Sequence, residues 1–245
     1  RSEALTRLLR ETGFAQAERL PLAGDASTRS YERLRLGDRK AVLMNAPPKE
    51  DPPCPPGATV AERRTMGWNA VARLAASRVE AFGAVAAYLK SIGLAAPQIY
   101  GMDAAAGYAI LEDLGDDLYA NVIGKTADEI PLYQAAAQLL AHVHAAQAPA
   151  KLVAADGAVW PLLDYDALAL EVNADLFVEW LPKAENIRID DAARARWEKV
   201  RDGLIVKALG FPRAFTIRDY HAENLLWLPE REGLARVGLL DFQDA

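Results

Sequence analysis

Cysteine is nearly absent. Cys54 is the single one in 245 residues, so neither an intrachain disulfide nor a cysteine metal cluster is possible, and a reducing cytoplasm is the expected compartment. An excess of basic residues is also missing: 28 Lys and Arg stand against 34 Asp and Glu, a formal net charge of −6. That balance excludes the strongly basic footprint of a nucleic-acid binder, though not a local basic pocket. No run of 18 apolar residues is available to cross a bilayer, and RSEALTRLLRE lacks the unbroken apolar segment of a secretory leader. No internal repeat is visible. What is present is ordinary globular material, 51% hydrophobic and 25% charged, enough for one large domain or two small ones.

Residues 1–13 read as a short amphipathic helix, with Leu5, Leu8 and Leu9 at i, i+3, i+4 and Gly13 as its C-cap. A strand-like stretch ends at Leu22, and the small polar segment GDASTRS follows at residues 24–30. YERLRL and RKAVLM flank Gly37-Asp38, a two-residue hairpin signal. Six of the 14 prolines lie between residues 47 and 57, which marks a loop. A helix is expected over 69–92, with Val85, Leu89 and Ile92 on its apolar side. PQIYGMD and GYAILEDL alternate like a strand pair that breaks at Leu114-Gly115. Further helices are expected near 131–147, 164–181 and 190–209, and two short apolar runs, LLWL (225–228) and VGLL (237–240), close the chain. His142 and His144 stand two apart on a helix and diverge by about 200°, so they do not form a metal pair.

The segment with chemical content is IRDYHAENLLWLPEREGLARVGLLDFQDA, residues 217–245. If LLWL and VGLL pair antiparallel with Leu225 opposite Leu240 and Leu228 opposite Val237, Asn224 and Asp241 emerge at the same open end. Asp219 lies on the loop entering the first strand. Three oxygen-bearing side chains then converge on one small volume. Carboxylate and amide oxygens are what Mg²⁺ prefers, and a spare carboxylate can take a proton.

The spacing D-x4-N, followed by D-F with its Asp seventeen positions after the Asn, resembles the catalytic loop and metal-binding Asp of the protein-kinase-like fold. RDYHAENLL and LLDFQDA most resemble the aminoglycoside phosphotransferase family, and within it the branch of bacterial anomeric N-acetylmuramate/N-acetylglucosamine kinases. GDASTRSY as phosphate loop, VLMNAPP after the third strand and LEDLG at the hinge match in the same order, so the likeness covers roughly residues 20–245. It implies a two-lobed α+β fold: a small antiparallel-sheet lobe over 1–113 and a mainly helical lobe over 114–245. It also implies ATP between the lobes with Mg²⁺ as cofactor, Asp219 as the base for the acceptor hydroxyl, and Asn224 and Asp241 as metal ligands. Ser27, Thr28 and Arg29 would cradle phosphates through hydroxyls, backbone N–H groups and one positive charge; read alone, the segment is better taken as a polar hairpin loop, and the kinase-like context reverses that. Glu112 and Leu114 are the expected backbone partners of adenine.

Two departures stand out. The wider fold carries a lysine on the third strand that contacts the phosphates and pairs with a helix glutamate. Here Met44 occupies that register, with Glu80 at the glutamate position; Arg29 is the candidate substitute and Lys40 the weaker one. The histidine usually found two residues before the catalytic Asp is Ile217, while His221 follows Asp219. The chain also stops four residues after Asp241, where similar kinases continue with helices that wall the acceptor pocket, so a C-terminal truncation is expected.

The leading expectation is a kinase for a hydroxyl of an amino sugar in cell-wall recycling. A kinase of aminoglycosides is the first rival, with Asp116, Asp117, Glu179 and Asp244 as the carboxylates a polycation needs. A nucleotide-binding pseudokinase that regulates a partner is the second, favoured by Met44 and Ile217. The expected partner is a small-molecule acceptor, amino sugar or aminoglycoside, with neither nucleic acid nor membrane. The sequence leaves the oligomeric state open.

Overall fold

The Gly37-Asp38 signal is realised as expected: β2 (Ser30–Leu36) turns directly into β3 (Arg39–Asn45), with Leu36 opposite Arg39. Gly37 sits at φ +59, where a side chain would be strained and glycine is not. The computed structural model describes residues 1–22, 29–48, 53–76, 78–154 and 157–245. The chain falls into two units: Arg1–Lys49 with Ser77–Leu162 and Ala214–Ala245, and Glu50–Ala76 with Leu163–Arg213. The boundary between residues 113 and 114 lies inside the first.

In the first unit β1 (Glu18–Pro21), β2, β3, β4 (Ile99–Asp103) and β5 (Tyr108–Leu111) form an antiparallel sheet in the order β1-β2-β3-β5-β4. Leu34, Ala41, Leu43 and Ile110 pack with Leu8 and Leu9 of α1 (Ser2–Glu11) and with Phe14. Met44, Ala109 and Leu111 join a second apolar cluster with Phe82, Val85 and Leu89 of α4 (Val79–Ser91). The β4–β5 turn is tight. Gly107 stands at φ +70, and a Cβ there would lie 2.0 Å from the Ala46 carbonyl oxygen, whose own N–H donates to Gly107 O.

The single helix expected over 69–92 is instead two. α3 (Trp68–Ala72) ends at Arg73, and α4 begins at Val79. Arg73 and Ala76 take left-handed backbone, φ +54 and +56, which no alanine-rich sequence announces. Beyond β5, α5 (Tyr119–Val122) and α6 (Glu129–Ala145) follow, and α6 buries Leu132, Ala136, Leu139 and Val143 at helical spacing. β6 (Lys151–Val153) and β7 (Val159–Pro161) make a short hairpin that the sequence reading did not contain.

The last hairpin pairs β8 (Leu225–Trp227) with β9 (Val237–Leu239). Its register differs from expectation by one residue: Leu225 faces Leu239 and Trp227 faces Val237. A 3-10 turn over Gly233–Arg236 takes up the intervening chain. Leu240 N donates to Asn224 O at 3.0 Å, so Asn224 still sits at the end from which Asp241 leaves.

The second unit holds α2 (Val60–Met66), α3, α7 (Ala167–Glu185) and α8 (Asp191–Leu209). α2 opens on a capping box: Glu62 N donates to Thr59 Oγ1, and Thr59 N donates to Glu62 Oε2. The Arg63 guanidinium, 1% exposed, donates to Ala70 O and Val71 O and pairs with Asp166, the N-cap of α7. Asp175 on α7 accepts from Trp197 and Arg201 on α8. No helix among the described residues is long and apolar enough to cross a membrane.

Candidate active site

Asp219, Asn224 and Asp241 are brought together by the backbone around the β8–β9 hairpin. Asn224 follows a turn in which its N–H donates to His221 O at 2.9 Å. Its side-chain Nδ2 donates to Asp219 O at 3.0 Å and approaches His221 Nε2 at 3.2 Å. Those bonds spend the amide's donor side and leave Asn224 Oδ1 without a hydrogen bond among the described residues. The Asp219 carboxylate is exposed and likewise accepts no hydrogen bond among them.

Asp241 stands at φ +52, left-handed backbone that Asp tolerates better than most side chains. Its Oδ1 accepts from Arg29 Nη2 at 2.6 Å and from Gln243 Nε2 at 2.9 Å. Its Oδ2 accepts no hydrogen bond among the described residues. Phe242, 1% exposed, anchors the turn by stacking on Phe82 with ring centroids 4.7 Å apart. Burial works against the Arg29 charge, but Tyr31, the carboxylates of Asp241 and Asp244 and the hydrogen bond to Asp241 outweigh it and hold the guanidinium above its ordinary range.

Of the three residues expected to cradle phosphates, Arg29 is thus placed at Asp241. Ser27 and Thr28 lie outside the described residues. Met44 is 1% exposed, opposite Tyr31 and Ala109 in the sheet, so the register of the missing lysine is filled by core. Lys40, on the same strand, is exposed. Glu80 pairs with Arg78 at 2.5 Å in the first turn of α4. Ile217 is buried, and His221 keeps its contact with Asn224.

At the hinge, Glu112 N donates to Gln98 O at 2.7 Å, which occupies that N–H. The Glu112 carboxylate accepts from Gln98 N at 3.0 Å and from Arg231 at 2.7 Å. The Glu112 carbonyl and the Leu114 N–H carry no hydrogen bond among the described residues, an acceptor and a donor on one short segment. Arg33 of β2 donates to Asp113 at 3.0 Å and to Asp116 at 2.8 Å, and that second bond holds the Asp116 carboxyl below its ordinary range. The hinge is therefore tied to the sheet by charge. It is tied to the hairpin by a Leu118–Leu226 bridge and by Trp227 N donating to Asp117 O at 2.8 Å. Sequence reasoning missed Gln243, Arg33 and Arg231, and no local signal marks them, because each partner is distant in the chain or at an unpredictable rotamer.

Among the described residues no group of three or more His, Cys, Asp or Glu side chains gathers for a metal. The donor set at the hairpin is different in kind: one amide oxygen and one carboxylate oxygen, both free. Mg²⁺ ordinarily keeps several waters and takes one or two protein oxygens plus substrate phosphates. The residues present fit such an ion.

The family model described as "Phosphotransferase enzyme family" matches residues 18–245. The chain is 52% identical over its whole length to an N-acetylmuramate/N-acetylglucosamine kinase of Caulobacter vibrioides, covering 68% of that protein. It is 32% identical over 94% of its length to a kinase of the same name from Pseudomonas aeruginosa, covering 56% of it. A third, from Pseudomonas putida, is 29% identical over 99% of this chain and is covered to 60%. Among solved structures, the gentamicin complex of APH(2")-IIa superposes with a TM-score of 0.53 at 12% identity, covering all of this chain and 70% of that one. A thermostable mutant of aminoglycoside phosphotransferase APH(4)-Ia gives 0.51 at 13% identity, over 97% of this chain and 70% of that one. At such identities the likeness shows the fold alone, and that fold is protein-kinase-like. With 228 of 245 residues inside the matched range (18 to 245), the chain belongs to the phosphotransferase enzyme family.

Proposed function

We propose that this chain carries the nucleotide site and catalytic loop of an ATP-dependent kinase that phosphorylates a hydroxyl of N-acetylmuramate or N-acetylglucosamine. One observation carries the reading: Asp219, Asn224 and Asp241 are held at one hairpin end, with Asn224 Oδ1 and Asp241 Oδ2 accepting no hydrogen bond among the described residues. The names of the three relatives supply the acceptor class. The division into a lobe over 1–113 and a lobe over 114–245, with ATP between them, is part of the same proposal.

The chemistry follows from the placement. The adenine edge meets the Glu112 carbonyl as acceptor and the Leu114 N–H as donor. Arg29, held at Asp241, supplies beside the phosphates the positive charge that Met44 cannot. Asn224 Oδ1 and Asp241 Oδ2 are the oxygens that would hold Mg²⁺, which neutralises phosphate charge when bound. Asp219 accepts the acceptor hydroxyl's proton as that oxygen bonds to the γ-phosphorus. The bond between the γ-phosphorus and the β,γ-bridging oxygen breaks, and ADP departs with the electron pair. Positioning and charge neutralisation provide most of the acceleration.

The test is direct. The protein is incubated with labelled ATP, Mg²⁺ and each sugar, and the product is identified by mass and phosphorus NMR. Phosphorylated N-acetylmuramate or N-acetylglucosamine, with unlabelled kanamycin, is the expected result. Labelled kanamycin with unlabelled sugars would transfer the protein to the antibiotic class. Nucleotide binding without any transfer would make it a pseudokinase.

A further inference from the structure

Gln243 is a buried amide in the turn that carries Asp241 and Asp244, and the reaction just described gives it no task. It is 3% exposed. Its Nε2 donates to Asp241 Oδ1 at 2.9 Å and reaches Asp244 Oδ2 at 3.4 Å. Both neighbours are carboxylate oxygens, so the NH₂ end must face them; the reverse orientation would set three acceptors against one another. Its Oε1 is buried and has no hydrogen-bond partner among the described residues. A group left so costs stability unless it serves something else.

We infer that Gln243 is a positioning residue: with Arg29 it saturates Asp241 Oδ1, so that the carboxylate offers a divalent cation one oxygen, Oδ2, and not two. A carboxylate with both oxygens free can turn and bind an ion bidentately, which large Ca²⁺ accepts readily and compact octahedral Mg²⁺ does not. Locking one oxygen therefore selects Mg²⁺. Of the two donors, Gln243 is the buried one and belongs to the same turn as Asp241, so its hold does not depend on the phosphate-side loop. The left-handed backbone at Asp241 and the stacked Phe242 fix the two ends of that turn. The inference rests on Asp241 being a cation ligand, as proposed above.

Calorimetric titration of ADP in EDTA, in Mg²⁺ and in Ca²⁺ separates the two claims without any turnover. Asp241→Asn should abolish the Mg²⁺ dependence of ADP binding; if that dependence persists in full, the cation reading itself fails. With that reading intact, Gln243→Met should need about tenfold more Mg²⁺ for half-maximal tightening of ADP, with Ca²⁺ dependence and metal-free ADP binding each within twofold of wild type. Unchanged Mg²⁺ dependence overturns the inference. If Gln243→Met does not bind metal-free ADP, Gln243→Leu takes the same measurement, and loss of metal-free binding in both variants assigns Gln243 to packing and also overturns it. In the Asp241→Asn background, Gln243→Met should add nothing to the Mg²⁺ requirement, because residues acting through one group are not additive. A further loss there would refute action through Asp241.

Discussion

Replacing Asp166 by Asn tests whether charge or capping holds the second unit together. The Asp166 carboxylate does both. It caps α7 by accepting from Ala169 N at 3.0 Å, and it pairs with the buried Arg63 through Nη1 at 2.5 Å and Nη2 at 3.2 Å, with Arg73 beside it at 3.1 Å. Asn caps a helix about as well as Asp, so the substitution removes the charge and keeps the cap. Breaking a buried pair by deleting one partner costs about 3–5 kcal/mol. Here Asp166 is 30% exposed and Arg63 keeps two backbone carbonyls, so the cost falls below that range, to about 2–3 kcal/mol. For a chain of this size that is a fall in Tm of about 5–10 °C. Asp166→Ala loses the cap as well and should cost about 1 kcal/mol more. Urea unfolding of the three proteins measures both differences. Burial pushes the Asp166 carboxyl up, but Arg63, the Ala169 N–H and Arg73 outweigh it and hold it below its ordinary value of 3.8. Its contribution is therefore complete above that value and fades as the pH falls through the lower, folded one, so the wild-type advantage should narrow only in acid. Asn within 0.5 kcal/mol of wild type, or Asn and Ala equally damaged, would refute the reasoning.

Asp219→Asn keeps shape and removes the proton acceptor, so turnover should fall by about 10²-fold or more with ATP binding intact; near-normal turnover in a steady-state assay would remove Asp219 as base. Arg29→Ala should raise the ATP KM and lower kcat more than Lys40→Ala does, because Lys40 is exposed on the strand while Arg29 already reaches Asp241; the opposite ranking would return the phosphate charge to the strand. Gly107→Ala should destabilise by roughly 3 kcal/mol or more, since strain at positive φ adds to a Cβ 2.0 Å from backbone oxygen; thermal denaturation reads it, and a shift under 2 °C would contradict the close approach. Binding of a neutral amino sugar should change little between low and high salt, whereas a polycationic acceptor would weaken steeply, because screening acts over a Debye length of about 10 Å at 0.1 M.

The hairpin signal at Gly37-Asp38, the strand pair before the hinge and the three long helices α6, α7 and α8 were legible because each rests on local pattern: turn chemistry, alternation, a 3.6-residue period. The convergence of Asp219, Asn224 and Asp241 was legible through the D-x4-N and D-F spacing. The β8–β9 register was not. VGLL reads as four strand residues, but the strand ends at Leu239, and left-handed backbone two residues later ends the run. The break between α3 and α4 was hidden because Arg73 and Ala76 take a conformation their side chains do not advertise. The Thr59–Glu62 capping box stands in the sequence as T-x-x-E, a local mark of the start of α2. Three-residue strands such as β6 and β7 fall below any periodicity test. Arg29 at Asp241 joins residues 212 apart, a contact no window of sequence contains.

That long-range closure decides when the site comes into being. The five-stranded sheet has all its strands once Leu111 is synthesised. The turn at Asp241 comes later, and it is fastened by Gly238 to Ala95, by Leu226 to Leu118 and by Asp241 to Arg29. Loops of that length close late, after the local hairpins and helices exist. A nascent chain stalled between Leu111 and Asp241 has every strand of the sheet and lacks the turn that joins Asp241 to Arg29, so on the proposed reading it has no cation site.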